Sequence, residues 1–334
     1  MTDAQPPDES VPASVPALSD IGIGGTDVAA REHCELSLQQ RQGHGSNPGQ
    51  QGRHHGFVGD LAPLLQWWAS TRASWPAPAV NLPVCALFGE QGITPGSISA
   101  EAGIIAAQTH IEQRITSIAR PDDDDERKGD AGSVTSWLLT GAEVADRAID
   151  AGADLLICAD IADSDALPAT AIIGLLSSST PAELMGFSDS TITDEMWMAE
   201  CASVRELMRQ GRAKRGDGAQ LLAAIGTPSI AAMTGFLLQA ARRRTGVLLD
   251  GSGSLAAALI AHRTAHRAKQ WWLPGHLGTQ PAQAQAMHRL GLEPAVPVRL
   301  GPGEGRGAMM VVALLRTSLE ALRSGHDASP DSAD

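Results

Sequence analysis

Read for its apolar and polar positions, the chain alternates short apolar runs with longer stretches of helical period. The runs are VCALFG at 84–89, DLLICA at 154–159, GVLLDG at 246–251, WWLPGH at 271–276 and AVPVRL at 295–300. They are continuous rather than alternating, as expected of parallel strands covered on both faces. With helical segments between them, they predict an α/β fold: a doubly wound parallel sheet with flanking helices and a smaller helical subdomain. Before the second run, Leu138, Ala142, Ala145 and Ile149 fall on one helical stripe, and Gly152 is placed to stop that helix. The alanine-rich segments SLAAALIAHRTA and SIAAMTGFLLQAARR are expected to lie close on the sheet, because small side chains permit a near approach. DGSGS at 250–254 and GTPS at 226–229 read as turns into helices, where backbone N–H groups point outward and ligands of open α/β sheets gather. Trp271 and Trp272 are adjacent, which predicts opposite faces, one in the core and the other toward a pocket or dimer contact. The Met-rich DEMWMAE at 194–200 is expected to pack under a helix.

The polar stretches set the organisation. Residues 1–34, rich in Pro, Ser, Asp and Gly, read as a flexible tail; 35–325 form the α/β domain, whose small helical part comes from the N-terminal and C-terminal segments; 326–334 form a second tail. The tract 42–56 contains His44, His54 and His55, a metal tract or, with its Gly and Gln, a mobile loop. PDDDDERKGDAG at 121–132 lacks the spacing of a calcium loop and reads as a solvated surface loop. His262 and His266 are one helical turn apart, but Arg263 and Arg267 beside them favour a basic exposed face over a metal site. No metal or cofactor is expected.

Composition narrows the function classes. The formal charge is -13, which repels a phosphate backbone and argues against nucleic-acid binding. Aromatic residues are 3% and tyrosine is missing, so stacking platforms have little material. Cys34, Cys85, Cys158 and Cys201 form no C-x-x-C pair, which fits a reducing cytoplasm rather than a disulfide scaffold. The start MTDAQPPDES is not a signal peptide and no run approaches ~20 apolar residues, so a soluble cytoplasmic chain is expected, with no membrane partner.

The most suggestive local chemistry is LGPGEGRGA at 300–308, four glycines around the single acid Glu304. A glutamate in such a loop can approach a ligand closely and serve as a general base. Alternatively, the loop is a turn into the helix MMVVALLRTSLEAL, and Glu304 merely complements the helix dipole. No G-x-S-x-G, P-loop lysine or H-E-x-x-H motif occurs.

The succession LLDGSGSLAAALIA, PGHLGTQP and LGLEPAVPVRLGPGEGRGA resembles the nicotinate-nucleotide:dimethylbenzimidazole phosphoribosyltransferase family. EVADRAIDAGADLLICADIADSDALPATAI, IGTPSIAAMTG and VCALFGEQGITPGSISA resemble its upstream segments, so the similarity spans roughly residues 35 to 325. The resemblance implies a cytoplasmic homodimer that makes the lower nucleotide loop of cobalamin. Ribose phosphate passes from nicotinate mononucleotide to 5,6-dimethylbenzimidazole, and nicotinate leaves. It implies Glu304 as the base, with Asp160, Gly226, Asp250, Gly251, Gly303, Gly305 and Arg306 binding substrate.

The same alignment has departures. Where the family has a glycine-rich loop after the second strand, this chain has ADIADSDALP, which keeps Asp160 and Pro168 but brings Ala162 and Ser164 for glycines and adds Asp163 and Asp165. Phe187 replaces an arginine, Asp189 intrudes, Glu90 and Gln91 stand for Asp-His, Ser229 stands for an acid, and Gly301 and Arg306 stand for an arginine and a hydroxyl residue. Two readings follow. In one, Arg306, Arg299 or His276 replaces lost phosphate donors in a working enzyme. In the other, the scaffold is a noncatalytic partner or binds a base or nucleoside without phosphate.

Overall fold

The computed structural model describes residues 23–43, 59–90, 92–118, 131–161, 166–186, 193–301 and 303–327. His44, His54, His55, Gln91, Ala162, Asp163, Ser164, Asp165, Phe187, Asp189 and most of 121–132 lie outside them.

Five parallel strands form the sheet: β1 Pro83–Glu90, β2 Glu112–Ile118, β3 Leu155–Asp160, β4 Gly246–Asp250 and β5 Trp272–Pro274, in the order β2-β1-β3-β4-β5. Alternate residues feed two cores. Val84, Ala86, Phe88, Leu156, Cys158 and Leu249 join one. Cys85, Leu87, Leu155, Ile157, Ala159 and Leu248 join the other. Burial on both faces is why these strands read as continuous apolar runs.

The helices, in chain order, are α1 Val28–Gly43, α2 Ala62–Arg72, α3 Ala100–Thr109, α4 Ala131–Asp150, α5 Ala166–Ser177, the single turn α6 Pro181–Leu184, α7 Asp194–Gly211, α8 Gly218–Ile225, α9 Pro228–Arg242, α10 Gly251–Thr264, α11 Pro281–Leu290 and α12 Arg306–Asp327. The helices α4 and α9 cross closely, and reciprocal glycines permit it. A Cβ on Gly141 would lie 1.7 Å from the Ala232 carbonyl oxygen, and one on Gly235 would lie 1.9 Å from that of Leu138. Backbone therefore touches backbone. Arg243 fastens the pair with ion pairs to Asp146 at 2.5 Å and Asp150 at 2.7 Å.

Several expectations need correction. The helix α1 crosses the predicted tail boundary at 34, with Ala30, Cys34 and Leu38 buried on a narrow stripe of small residues amid charge. It packs on α2, and this terminal layer shares its core with Leu87 and Ile157. The strand β2, EQRITSI, was not among the expected runs, because this edge strand is mostly polar and only Ile115 and Ile118 are apolar. Residues 295–300 form no strand: Val296 makes a single bridge to His276, and Pro297 has no N–H to extend it. Trp271 and Trp272 are both buried, their indole N–H groups donating to the Gly24 and Leu237 carbonyls, so neither lines a pocket or dimer contact. Met196 and Met198 are exposed on α7 rather than packed under a helix. His262 is half-buried, and burial holds its imidazole below the usual range, so it is not part of a charged face; it meets His266 edge-on, with ring centroids 4.8 Å apart.

All four thiols are buried. Burial, with Glu35 beside it, pushes Cys34 up to about 12. Burial also raises Cys85, Cys158 and Cys201, the first two further opposed by the Asp250 and Asp160 charges. A protonated, enclosed thiol is a poor nucleophile. A thiol reagent at pH 8 is therefore expected to label the native chain slowly at every cysteine and quickly in denaturant; rapid native labelling would contradict this burial. Gly235→Ala should lower unfolding stability by about 2 kcal/mol or more through overpacking, read from a urea midpoint. Gly103→Ala, whose Cβ would meet nothing within 4 Å, should be neutral or stabilising.

Candidate active site

The strand order reverses between β1 and β3, and the crevice beyond their carboxyl ends is where an open α/β sheet receives ligands. Glu304 sits there. Its backbone N–H donates to the Asp160 carbonyl at 2.8 Å, which fastens the glycine loop to the end of β3. Residues 303, 304 and 305 all take left-handed backbone, with φ of 90°, 60° and 72°. Glycine serves at the flanks because such angles disfavour a side chain, and because a Cβ at 305 would lie 2.5 Å from the Cys85 sulfur. Glu304 is the exception, a side chain placed where the backbone resists one.

The Glu304 carboxylate reaches across the crevice to Ser99. The Ser99 N–H donates to Oε1 at 2.9 Å, and its hydroxyl donates to Oε2 in a short bond. Ser99 is the N-cap of α3, and its oxygen accepts from the Ala102 N–H. The carboxylate thus stands at the positive end of a helix, held by two donors. Its side chain is 13% exposed, and the Arg306 guanidinium lies 3.8 Å away. Arg306 opens α12.

Beside Ser99 an open cleft of about 700 Å³ runs between α3 and the exposed face of β2. Ile93, Pro95, Ile98 and Ile115 give it aliphatic walls, while Gln113, Ser117 and Ser99 supply polar atoms. Gln113, Ile115 and Ser117 lie level with Cys85, Leu87 and Gly89, on one face of the sheet. No aromatic ring lines the cleft among the described residues.

The other expected site residues have internal duties. The Asp160 carboxylate accepts from the Gly253 N–H at 3.0 Å and occupies the start of α10. Gly251, at φ 90°, and Gly253 must be small because Cβ atoms there would lie 3.2 Å and 2.3 Å from that carboxylate. A substrate phosphate at this helix start would meet the Asp160 carboxylate as a like charge. Asp250 is 1% exposed and accepts from the Ala308 N–H at 2.9 Å, holding the first turn of α12. Its other oxygen is 3.3 Å from His276 Nε2. Because His276 Nδ1 accepts from the Gly278 N–H at 3.0 Å, the proton is on Nε2 and points at Asp250. His276 is therefore engaged on both nitrogens and buried, and it does not replace a phosphate donor. Arg299 is exposed. Gly226 ends α8 at a corner where a Cβ would lie 2.6 Å from the Leu222 carbonyl oxygen. Thr227 caps α9 beside it, and the buried Ser229 hydroxyl finds no partner among the described residues.

The structure brings Glu304, Gly303, Gly305, Arg306 and the Asp160 backbone together. Sequence reasoning missed Ser99, Gln113 and β2. For Ser99 the signal was present: a serine followed at once by a helical stretch, AEAGIIAAQ, is a cap.

Comparison with known proteins agrees with this architecture. A phosphoribosyltransferase family model matches residues 130–329. A relative from Streptomyces avermitilis named nicotinate-nucleotide–dimethylbenzimidazole phosphoribosyltransferase is 34% identical over 302 residues, covering 79% of this chain and 80% of its own. One of the same name from Mycobacterium avium is 34% identical over 261 residues, covering 74% of each. The crystal structure of the Thermus thermophilus protein of that name superposes with a TM-score of 0.71 over 89% of this chain and 96% of its own, and at 20% identity it speaks to fold alone. With a family model over more than half its length and such relatives along most of it, the chain belongs to the nicotinate-nucleotide–dimethylbenzimidazole phosphoribosyltransferase family.

Proposed function

We propose that this chain transfers ribose phosphate from nicotinate mononucleotide to a benzimidazole base, with Glu304 as general base. The observation that carries the reading is the Glu304 carboxylate, held by the Ser99 N–H and hydroxyl beside an aliphatic cleft at the strand-order reversal. In the donor, the cationic pyridinium makes C1′ of the ribose electrophilic. One ring nitrogen of the base attacks C1′, the bond to nicotinate breaks with its electron pair returning to the pyridine nitrogen, and the proton of the attacking base passes to Glu304. A carboxylate has about four lone-pair sites; Ser99 uses two, which leaves capacity to accept a proton. The rest of the acceleration is alignment of two substrates. Arg306 is the cation nearest the base among those identified, and it supports a role toward the donor's phosphate.

The reading as a noncatalytic binder is not favoured, since the candidate base is present and held, and the relatives carry transferase names. A second copy of the chain is proposed to cover the exposed apolar side chains Ile104, Met310 and Leu314 on α3 and α12, two helices in contact with each other. Among the described residues no helix is long and apolar enough to cross a membrane, and four buried free thiols support a reducing compartment.

Glu304→Gln preserves shape and an acceptor for the Ser99 N–H, and should lower release of nicotinate by about 10²- to 10⁴-fold with an unchanged unfolding curve. Turnover within a few-fold of the parent would remove Glu304 as the base. Ser99→Ala should lower kcat by about tenfold, the loss of one hydrogen bond, with KM for nicotinate mononucleotide unchanged and activity recovered in Ser99→Thr. Light scattering should report a dimer that Ile104→Asp with Leu314→Asp converts to monomer; a monomeric parent would refute the second-copy proposal.

A further inference from the structure

A second concave site lies at the other end of the sheet. The helix α5 leaves the carboxyl end of β3 and runs back for 12 residues, about 18 Å, so Ser177 and the turn after it lie toward the amino ends of the strands. Against that turn, the last part of α7 and the 3-10 turn Arg212–Lys214 enclose a cleft of about 460 Å³. Four arginines line it: Arg205, Arg209, Arg212 and Arg215. Their spacing of four, three and three residues puts them along one face of α7 and its continuation. In a chain of formal charge -13, residues 205–215 carry five Lys or Arg and one acid.

The nearby carboxylates are already engaged. Glu206 is bound bidentately by Arg209, at 2.6 and 2.8 Å. Glu183 accepts from the Thr180 N–H and hydroxyl. Asp217 caps α8 through the Ala219 and Gln220 N–H groups. No carboxylate lines the cleft, and Arg205, Arg212 and Arg215 have no carboxylate ion-pair partner among the described residues. Three like charges gathered without a counter-ion repel one another, a cost that a bound polyanion removes. The floor adds two features. Leu175 and Met208 are apolar and can carry a flat or aliphatic group. Ser178, in left-handed backbone at φ 64°, brings a hydroxyl to the rim. By contrast, the Ser179 proton is directed to Ser177, whose own proton goes to the Ile173 carbonyl.

We infer that this arginine cleft is a binding site for a small phosphorylated polyanion of the pyrophosphate or nucleoside-diphosphate class, separate from the Glu304 crevice. Guanidinium forks match pairs of phosphate oxygens, and a ligand with two or more charges spans several of them. The inference does not depend on the catalytic reading, since none of these residues touches the Glu304 crevice.

The test is calorimetric titration of the full chain with inorganic pyrophosphate and, separately, with ADP, at low and at physiological salt. Binding of one anion per chain is expected, weakened by salt and weakened at least tenfold in Arg212→Ala with Arg215→Ala. Arg31→Ala, an exposed arginine of α1, should leave it unchanged. Tighter binding of ADP than pyrophosphate would add the apolar floor to the recognition; equal binding would assign it to the phosphates alone. Ser178→Asp, which puts a carboxylate at the rim without removing an arginine, should weaken binding as well and guards against a folding defect in the double variant. Absence of binding by both probes, or binding that the arginine variants leave intact, would overturn the proposal.

Discussion

The structure depends on one recurring interaction: a carboxylate placed at the start of a helix that belongs to a different part of the chain. Asp160 at the end of β3 receives the Gly253 N–H of α10, Asp250 at the end of β4 receives the Ala308 N–H of α12, and Glu304 receives the Ser99 N–H that opens α3. Each satisfies a backbone donor that the helix cannot satisfy itself and complements the helix dipole. Together they fasten the sheet, the glycine loop and three helices around one crevice. The third, Glu304, is held by Ser99, which lines the cleft. The proposed chemistry and the architecture therefore use the same kind of contact.

This arrangement constrains how a phosphate could be received. At the starts of α10 and α12, Asp160 and Asp250 each engage one backbone donor, the Gly253 and Ala308 N–H groups, and bring a carboxylate to a helix end that many α/β proteins offer to anions. In the proposed reaction, recognition of the donor's phosphate near Glu304 would draw on side-chain cations, of which Arg306 lies 3.8 Å from the Glu304 carboxylate.

Much of the fold was legible because its strands are covered on both faces. Runs such as LLICA and VLLD have few alternatives, and the strand-to-helix turn at Asp250 and Gly251 followed directly. What escaped was at the edges, where burial is one-sided: β2, whose Gln113, Ile115 and Ser117 face the cleft, and α1, whose buried stripe is small and surrounded by charge. In the site, Glu304 was visible because four glycines isolate it, but the roles of Asp160, Asp250 and His276 were not. The contacts Asp160–Gly253, Asp250–Ala308 and His276–Asp250 span 93, 58 and 26 residues, so only the folded chain shows which acid holds a helix in place.

The aliphatic cleft carries a consequence for selectivity. Ile93, Ile98 and Ile115 offer dispersion and desolvation, which have little directionality, in place of an aromatic plane that would fix a ring's stacking angle. Each methyl group on a flat guest is then worth about 0.8 kcal/mol, roughly a fourfold preference. For the proposed benzimidazole acceptors, such a cleft would grade related rings by size rather than exclude them outright.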